Sequence, residues 1–137
     1  MTFIQPCFIR KNTPELRKKL EELGYKYSTF DDLKLDGIIT FPNKSKYSVW
    51  ANYHFNEKYT LKSYIDCGTN EDLFFALAAL RDDTDKNQYF ICDKVSVTLG
   101  KTYYPDDYLY YQYDEFFDKQ NWHKATVEEI IEYFKKE

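Results

Sequence analysis

Glycine is scarce in this chain, four in 137 residues and none of them grouped, which excludes the kind of loop whose successive backbone amides cradle a phosphate. Histidine and cysteine are scarcer still. Cys7, Cys67 and Cys92 with His54 and His123 show neither CxxC nor HxxxH spacing, so no zinc site, and no other metal or cofactor, is expected. Three cysteines leave one unpaired whatever the other two do, and no segment resembles a signal peptide or an apolar run long enough to span a bilayer. The expectation is a cytoplasmic protein in a reducing compartment, without a membrane partner. Charge of one sign is also in short supply. A net charge of −4 argues against direct nucleic-acid binding through phosphates and falls short of the acidity of a DNA mimic.

What the chain has in plenty is aromatic surface: fourteen Tyr and eleven Phe bring the aromatic share to 20%. Surplus tyrosine suits sheet edges and contact surfaces, where ring and hydroxyl are both satisfied. At 137 residues and 43% hydrophobic content, a single globular domain spanning 1–137 is expected. Its organising centre reads strand, helix, strand from Lys62 to Asp93. The helix expected from Asn70 to Arg81 carries Leu73, Phe74, Phe75, Ala76, Leu77, Ala78, Ala79 and Leu80, has almost no polar face, and so needs neighbours on more than one side. Thr69 is placed to cap it, and Glu71 and Asp72 complement the positive end of its dipole.

Around that centre the pattern is clear at both ends. Cys7–Ile9 reads as a strand, and Thr13 and Pro14 open a helix bearing Leu16, Leu20 and Leu23 that Gly24 stops. Tyr25–Tyr27 and Gly37–Phe41 read as strands. Tyr47–Phe55 alternates, with Val49, Ala51 and Tyr53 on its apolar face, and Tyr59–Ile65 is expected to pair with it as an antiparallel hairpin. Tyr89–Cys92 and Val95, Val97, Leu99 supply further strands. Tyr103–Asp118 obeys neither period and reads as loop, with a short helix near Asp114 to Lys119. Thr126 and Glu129 form a capping box for a terminal helix with Ile130, Ile131 and Phe134 on its apolar stripe. The fold class is α+β: a mostly antiparallel sheet of five to seven strands with a central buried helix and two flanking helices.

Several constellations touch on chemistry. Asp83, Asp85 and Asn87 begin like a calcium loop, but Gln88 stands where its glycine belongs and Lys94 where its closing glutamate belongs, so a solvated turn is the reading. Cys67 precedes a helix N-terminus, and with His54 or His123 as base it defines a thiol enzyme as one alternative; the acidic neighbours Asp66, Glu71 and Asp72 oppose a thiolate. Arg10, Lys11 and the amides after Thr13, with Lys44 and Lys46, make a candidate site for an anionic nucleotide, the alternative being a solvated strand end. Tyr103, Tyr104, Asp106, Asp107, Tyr108, Tyr110, Tyr111 and Tyr113 make a candidate partner-binding surface, the alternative being that these rings cover the sheet.

The segments GTNEDLFFALAALRDDTDKNQYFICD and WHKATVEEIIEYF, with FIRKNTPELRKKLEELGYK at the front, resemble small uncharacterised proteins of phage and prophage accessory regions of gut bacteria. The resemblance spans most of the chain and brings no site residues with it. It implies a small binding protein of the host cytosol that either blocks a host defence protein or sequesters a nucleotide signal. The expectation is therefore a non-catalytic inhibitor of a host protein acting through the Tyr- and acid-rich surface. Its rival is a sponge for a small anionic nucleotide, and a homo-oligomer is left open.

Overall fold

The computed structural model describes residues 3–28, 34–42, 48–54, 63–98, 100–111 and 119–135, and the chain falls into two compact units, Met1–Asp83 and Thr84–Glu137. The first holds β1 (Cys7–Ile9), α1 (Pro14–Leu23), β2 (Lys26–Tyr27), β3 (Gly37–Phe41), β4 (Val49–Tyr53), β5 (Ile65–Asp66) and α2 (Glu71–Ala78). The second holds β6 (Gln88–Cys92), β7 (Ser96–Thr98), β8 (Lys101–Tyr103), β9 (Tyr108–Tyr111), a 3-10 turn at Lys119–Asn121, β10 (Trp122–Lys124) and α3 (Val127–Lys135). The architecture is α+β, and among the described residues five of the seven strand pairings are antiparallel. The division falls inside the strand, helix, strand stretch: β5 and α2 belong to the first unit, while β6 starts a different sheet in the second.

In the first unit the strands run in the order β2-β4-β3-β1-β5. Alternation places Cys7, Ile9, Ile38, Thr40, Trp50 and Asn52 on one face, and α2 lies there, the Cys7 thiol pointing at the Phe74 carbonyl oxygen. Leu73, Phe74, Ala76, Leu77 and Ala78 are all buried, as a helix apolar on every side requires. α1 packs against α2 through Leu16 and Leu20; Thr13 Oγ1 accepts from the Leu16 amide, and Gly24 at φ +119° takes the left-handed stop. The opposite sheet face carries a smaller cluster of Phe8, Ile39 and Ala51. Buried Ser48, Trp50 and Asn52 make the nominally polar side of β4 its deeper side.

Three local expectations change. The cap of α2 is Asn70, whose Oδ1 accepts from the Leu73 amide at 3.1 Å, because Gly68 and Thr69 are consumed by a turn that returns the Asn70 amide to the Cys67 carbonyl. The helix stops at Ala78 rather than Arg81, since the chain start captures its end: Ile4 N–H donates to the Leu80 carbonyl at 3.0 Å and Phe3 bridges Arg81. Ile65 does not pair with β4. Both edges of β4 are taken, by β3 and by β2, so β5 runs parallel to β1 instead; residues 55–62 lie outside the described set.

The second unit is built in three layers. In the sheet β10-β6-β9, the rows His123–Ile91–Tyr108 and Tyr89–Tyr110 share one face, and Trp122, Cys92, Phe90 and Leu109 the other. α3 covers the first face: Tyr133 stacks on Tyr108 with ring centroids 4.1 Å apart, and Phe134 meets Tyr89 edge-on. Its start is the expected capping box, Thr126 Oγ1 accepting from the Glu129 amide and Glu129 Oε1 from the Thr126 amide. The β7–β8 hairpin, turned by Gly100 at φ +78°, lies on the second face. Tyr103 meets Trp122 edge-on, and Trp122 Nε1–H donates to Ser96 Oγ at 3.3 Å. The stretch expected as loop thus contains β9 and the end of β8; residues 112–118, where a short helix was expected, lie outside the described set. Strands this short, apolar on both faces, leave no period to read.

Candidate functional site

The hairpin has one face anchored and one face free. Ser96 and Tyr103 are paired across it and turn toward Trp122; alternation then sends Val97 and its cross-strand partner Thr102 outward, with Val95 and Tyr104 continuing the same row. Exposure follows: Val95 is 56%, Val97 72% and Tyr104 58% exposed, against 4% for Ser96. β-branched side chains normally seek a covered sheet face, and singly exposed apolar residues mean little. Three in one row on a rigid ribbon form a patch of the kind that marks contact sites.

The predicted partner surface is divided by this arrangement. Tyr103 packs on Trp122, with the Lys101 ammonium over its ring at 5.0 Å. Tyr108 lies under α3, its hydroxyl donating to the Glu129 carbonyl at 3.1 Å, and Tyr110 packs on Tyr89 and bonds Asn87. Burial, then the charges of Glu129 and Asp106, push the Tyr108 phenol up. Asp107 Oδ2 accepts from the Tyr104 amide at 2.8 Å and shapes the turn, whereas Asp106, at φ +74°, is exposed beside Tyr104. Tyr111 is in β9 and Tyr113 lies outside the described residues. Tyr104 and Asp106 are exposed, and Val95, Val97 and Thr102, also exposed, were missed. The alternation of Val95 and Val97 marks a strand but not which of its faces is covered; Ser96, between them, was the signal, since Trp122 needs a partner for its N–H.

Of the basic candidates, Arg10 and Lys11 are each paired with a carboxylate. Arg10 makes a forked ion pair with Asp66, Nη2 to Oδ2 at 3.0 Å, and Lys11 pairs with Glu71. Burial raises the Asp66 pKa somewhat, but hydrogen bonds from Arg10 and from the Gly68 amide outweigh it and hold the carboxyl below its ordinary value. The Thr13 hydroxyl is spent on the cap of α1, and Lys44 and Lys46 lie outside the described residues. Cys67 is buried, and its hydrogen bond with Cys7, burial and the nearby Asp66 charge all push its thiol up, which keeps it protonated. His54 is engaged by Asp36.

His123 is held from both sides. Its Nδ1 lies 2.8 Å from Asp93 Oδ1, and its Nε2 2.9 Å from Glu129 Oε2. Partial burial lowers its pKa, but the hydrogen bonds to Glu129 and Asp93 and their charges outweigh this and raise it above the ordinary value. Among the described residues no three of His, Cys, Asp and Glu are gathered to hold a metal, and His123, with both nitrogens engaged, has no free lone pair to offer one. None of the helices among the described residues is long and apolar enough to cross a membrane.

Charge is divided unequally. Residues to Asp83 include twelve acidic and twelve basic side chains, and those from Thr84 eleven acidic and seven basic, so the second unit carries the whole net charge of −4. Compared with protein-family models, with curated proteins and with solved structures, the chain finds no match.

Proposed function

We propose that the protein is a non-catalytic binding protein that inhibits a host defence protein, gripping it with the outward face of the β7–β8 hairpin. The observation that carries this reading is the row Val95, Val97 and Tyr104, exposed on a ribbon whose other face is fixed to Trp122. A rigid apolar row offers contact area without the entropy cost of ordering a loop. Asp106 beside it, and the acidity of the unit, favour a partner whose apolar groove is rimmed by basic residues, as in proteins that handle nucleic acid. The phage-type character and the host cytosol come with the resemblance noted above.

Neither rival gains a supporting observation. Arg10 and Lys11 are paired with carboxylates, and Cys67 is held as a thiol. The test is a capture experiment from bacterial lysate, run with the natural chain beside a Val95→Ser/Val97→Ser/Tyr104→Ser variant, with a thermal-shift screen against nucleotides in parallel. A partner retained by the natural chain alone, then bound as a purified protein, is the expected result. A rise in melting temperature with a nucleotide would instead favour the sponge.

A further inference from the structure

The imidazole of His123, on β10, sits between the bend after β6 and the first turn of α3, a helix joined to β10 by Ala125 and Thr126 alone. Asp93 lies in the bend directly after β6, whereas Glu129 sits in the first turn of α3. A neutral imidazole has one N–H and one lone pair, and so cannot donate to two carboxylates at once; an imidazolium donates to both. We infer that His123 is a proton-operated clasp: protonated, it fastens α3 to the three-stranded sheet through Asp93 and Glu129, and on losing one proton it lets one carboxylate go.

Every neighbour supports that sense. From the sheet side come Asp93 and, one strand further along the same row, the neutral phenol of Tyr108. From α3 come Glu129, with Glu132 and Tyr133 close to Tyr108. On its own strand Lys124 has the opposite parity and is committed elsewhere, to the Thr84 carbonyl at 2.6 Å and to Asp85 at 3.5 Å. Lys94, next to Asp93, is exposed. The nearest partners of the ring are thus anionic. Glu129 also accepts from the Thr126 amide, so the helix cap survives when the clasp opens; what weakens is the hold of the helix start on the sheet. Beneath lies the aromatic face of Tyr89, Tyr108 and Tyr110. The device adjusts how often that face is uncovered, not whether α3 forms.

The experiment uses the full chain, labelled with nitrogen-15. The ring nitrogens of His123 and the exchange protection of the amides from Ile130 to Phe134 are followed between about pH 5.5 and 8.5. Both ring nitrogens are expected to carry protons at the acid end, with a midpoint above about 6.5. Across that midpoint, protection in α3 should fall about two- to fivefold relative to the Phe90 amide, the range reflecting solvent screening of half-exposed groups. His123→Gln should remove the step, and Glu129→Gln should move the histidine midpoint down. A midpoint at or below about 6.5, an α3 protection indifferent to the titration, or a step that persists in His123→Gln would each overturn the clasp.

Discussion

The two units solve the same burial problem with different materials. The first lays helices on a sheet, carries balanced charge and keeps its apolar helix α2 on the sheet face that holds Trp50. The second, acidic and rich in tyrosine, sandwiches three short strands between α3 and a hairpin and leaves part of the hairpin uncovered. A helix hides an apolar stripe by rotating; a ribbon fixed on one face must show the other. Surface available for binding therefore collects in the unit made of ribbons.

The sharpest way to break this contrast is in the first unit. Phe74→Ala removes a fully buried ring from α2 and should cost about 3–5 kcal/mol in urea unfolding; a loss below about 1 kcal/mol would mean that the helix is not enclosed as described. In the second unit two tyrosines four residues apart should behave differently. Tyr108→Phe deletes the hydroxyl bonded to the Glu129 carbonyl and should cost about 1 kcal/mol. Tyr104→Phe, at an exposed position, should leave the unfolding midpoint where it is.

Smaller effects follow from titration and from orphaned groups. The His123 pKa is raised in the fold, so its contribution is complete below about 6.5 and lost as pH rises through the folded value. For Glu129, burial is outweighed by its bonds to Thr126 and His123 and its pKa is lowered; its contribution is complete above about 4.3 and lost as pH falls through the folded value. The stability gap between the natural chain and His123→Gln should be widest between about pH 5 and 6.5 and stay under about 1 kcal/mol, because these groups are half exposed. Among the described residues Ser48 Oγ is buried without a hydrogen-bond partner. Ser48→Ala should accordingly be neutral or stabilising by up to about 1 kcal/mol in the same unfolding assay.

Much of the first unit was legible because caps and periodic leucines are local signals: Thr13, Pro14 and Gly24 delimit α1, and the Leu73 to Leu80 run announces a buried helix. Pairing was not legible. That β2 would occupy the free edge of β4, leaving β5 to run beside β1, depends on contacts distant in sequence. In the second unit the capping box of α3 stood out, whereas β9 and β10 are four- and three-residue strands, too short to show a period. The Tyr-rich stretch could be marked as important, but dividing Tyr108 under a helix from Tyr104 in the open required the register. The alternation of Val95 and Val97 likewise marked a strand without showing that its apolar side is the exposed one.

The claim that the open row of the hairpin is the grip is tested most directly by titration calorimetry of the captured, purified partner against the natural chain and the Val95→Ser/Val97→Ser/Tyr104→Ser variant. Affinity weakened about a hundredfold or more with an unchanged melting temperature is expected. Equal affinity of the two chains would contradict it.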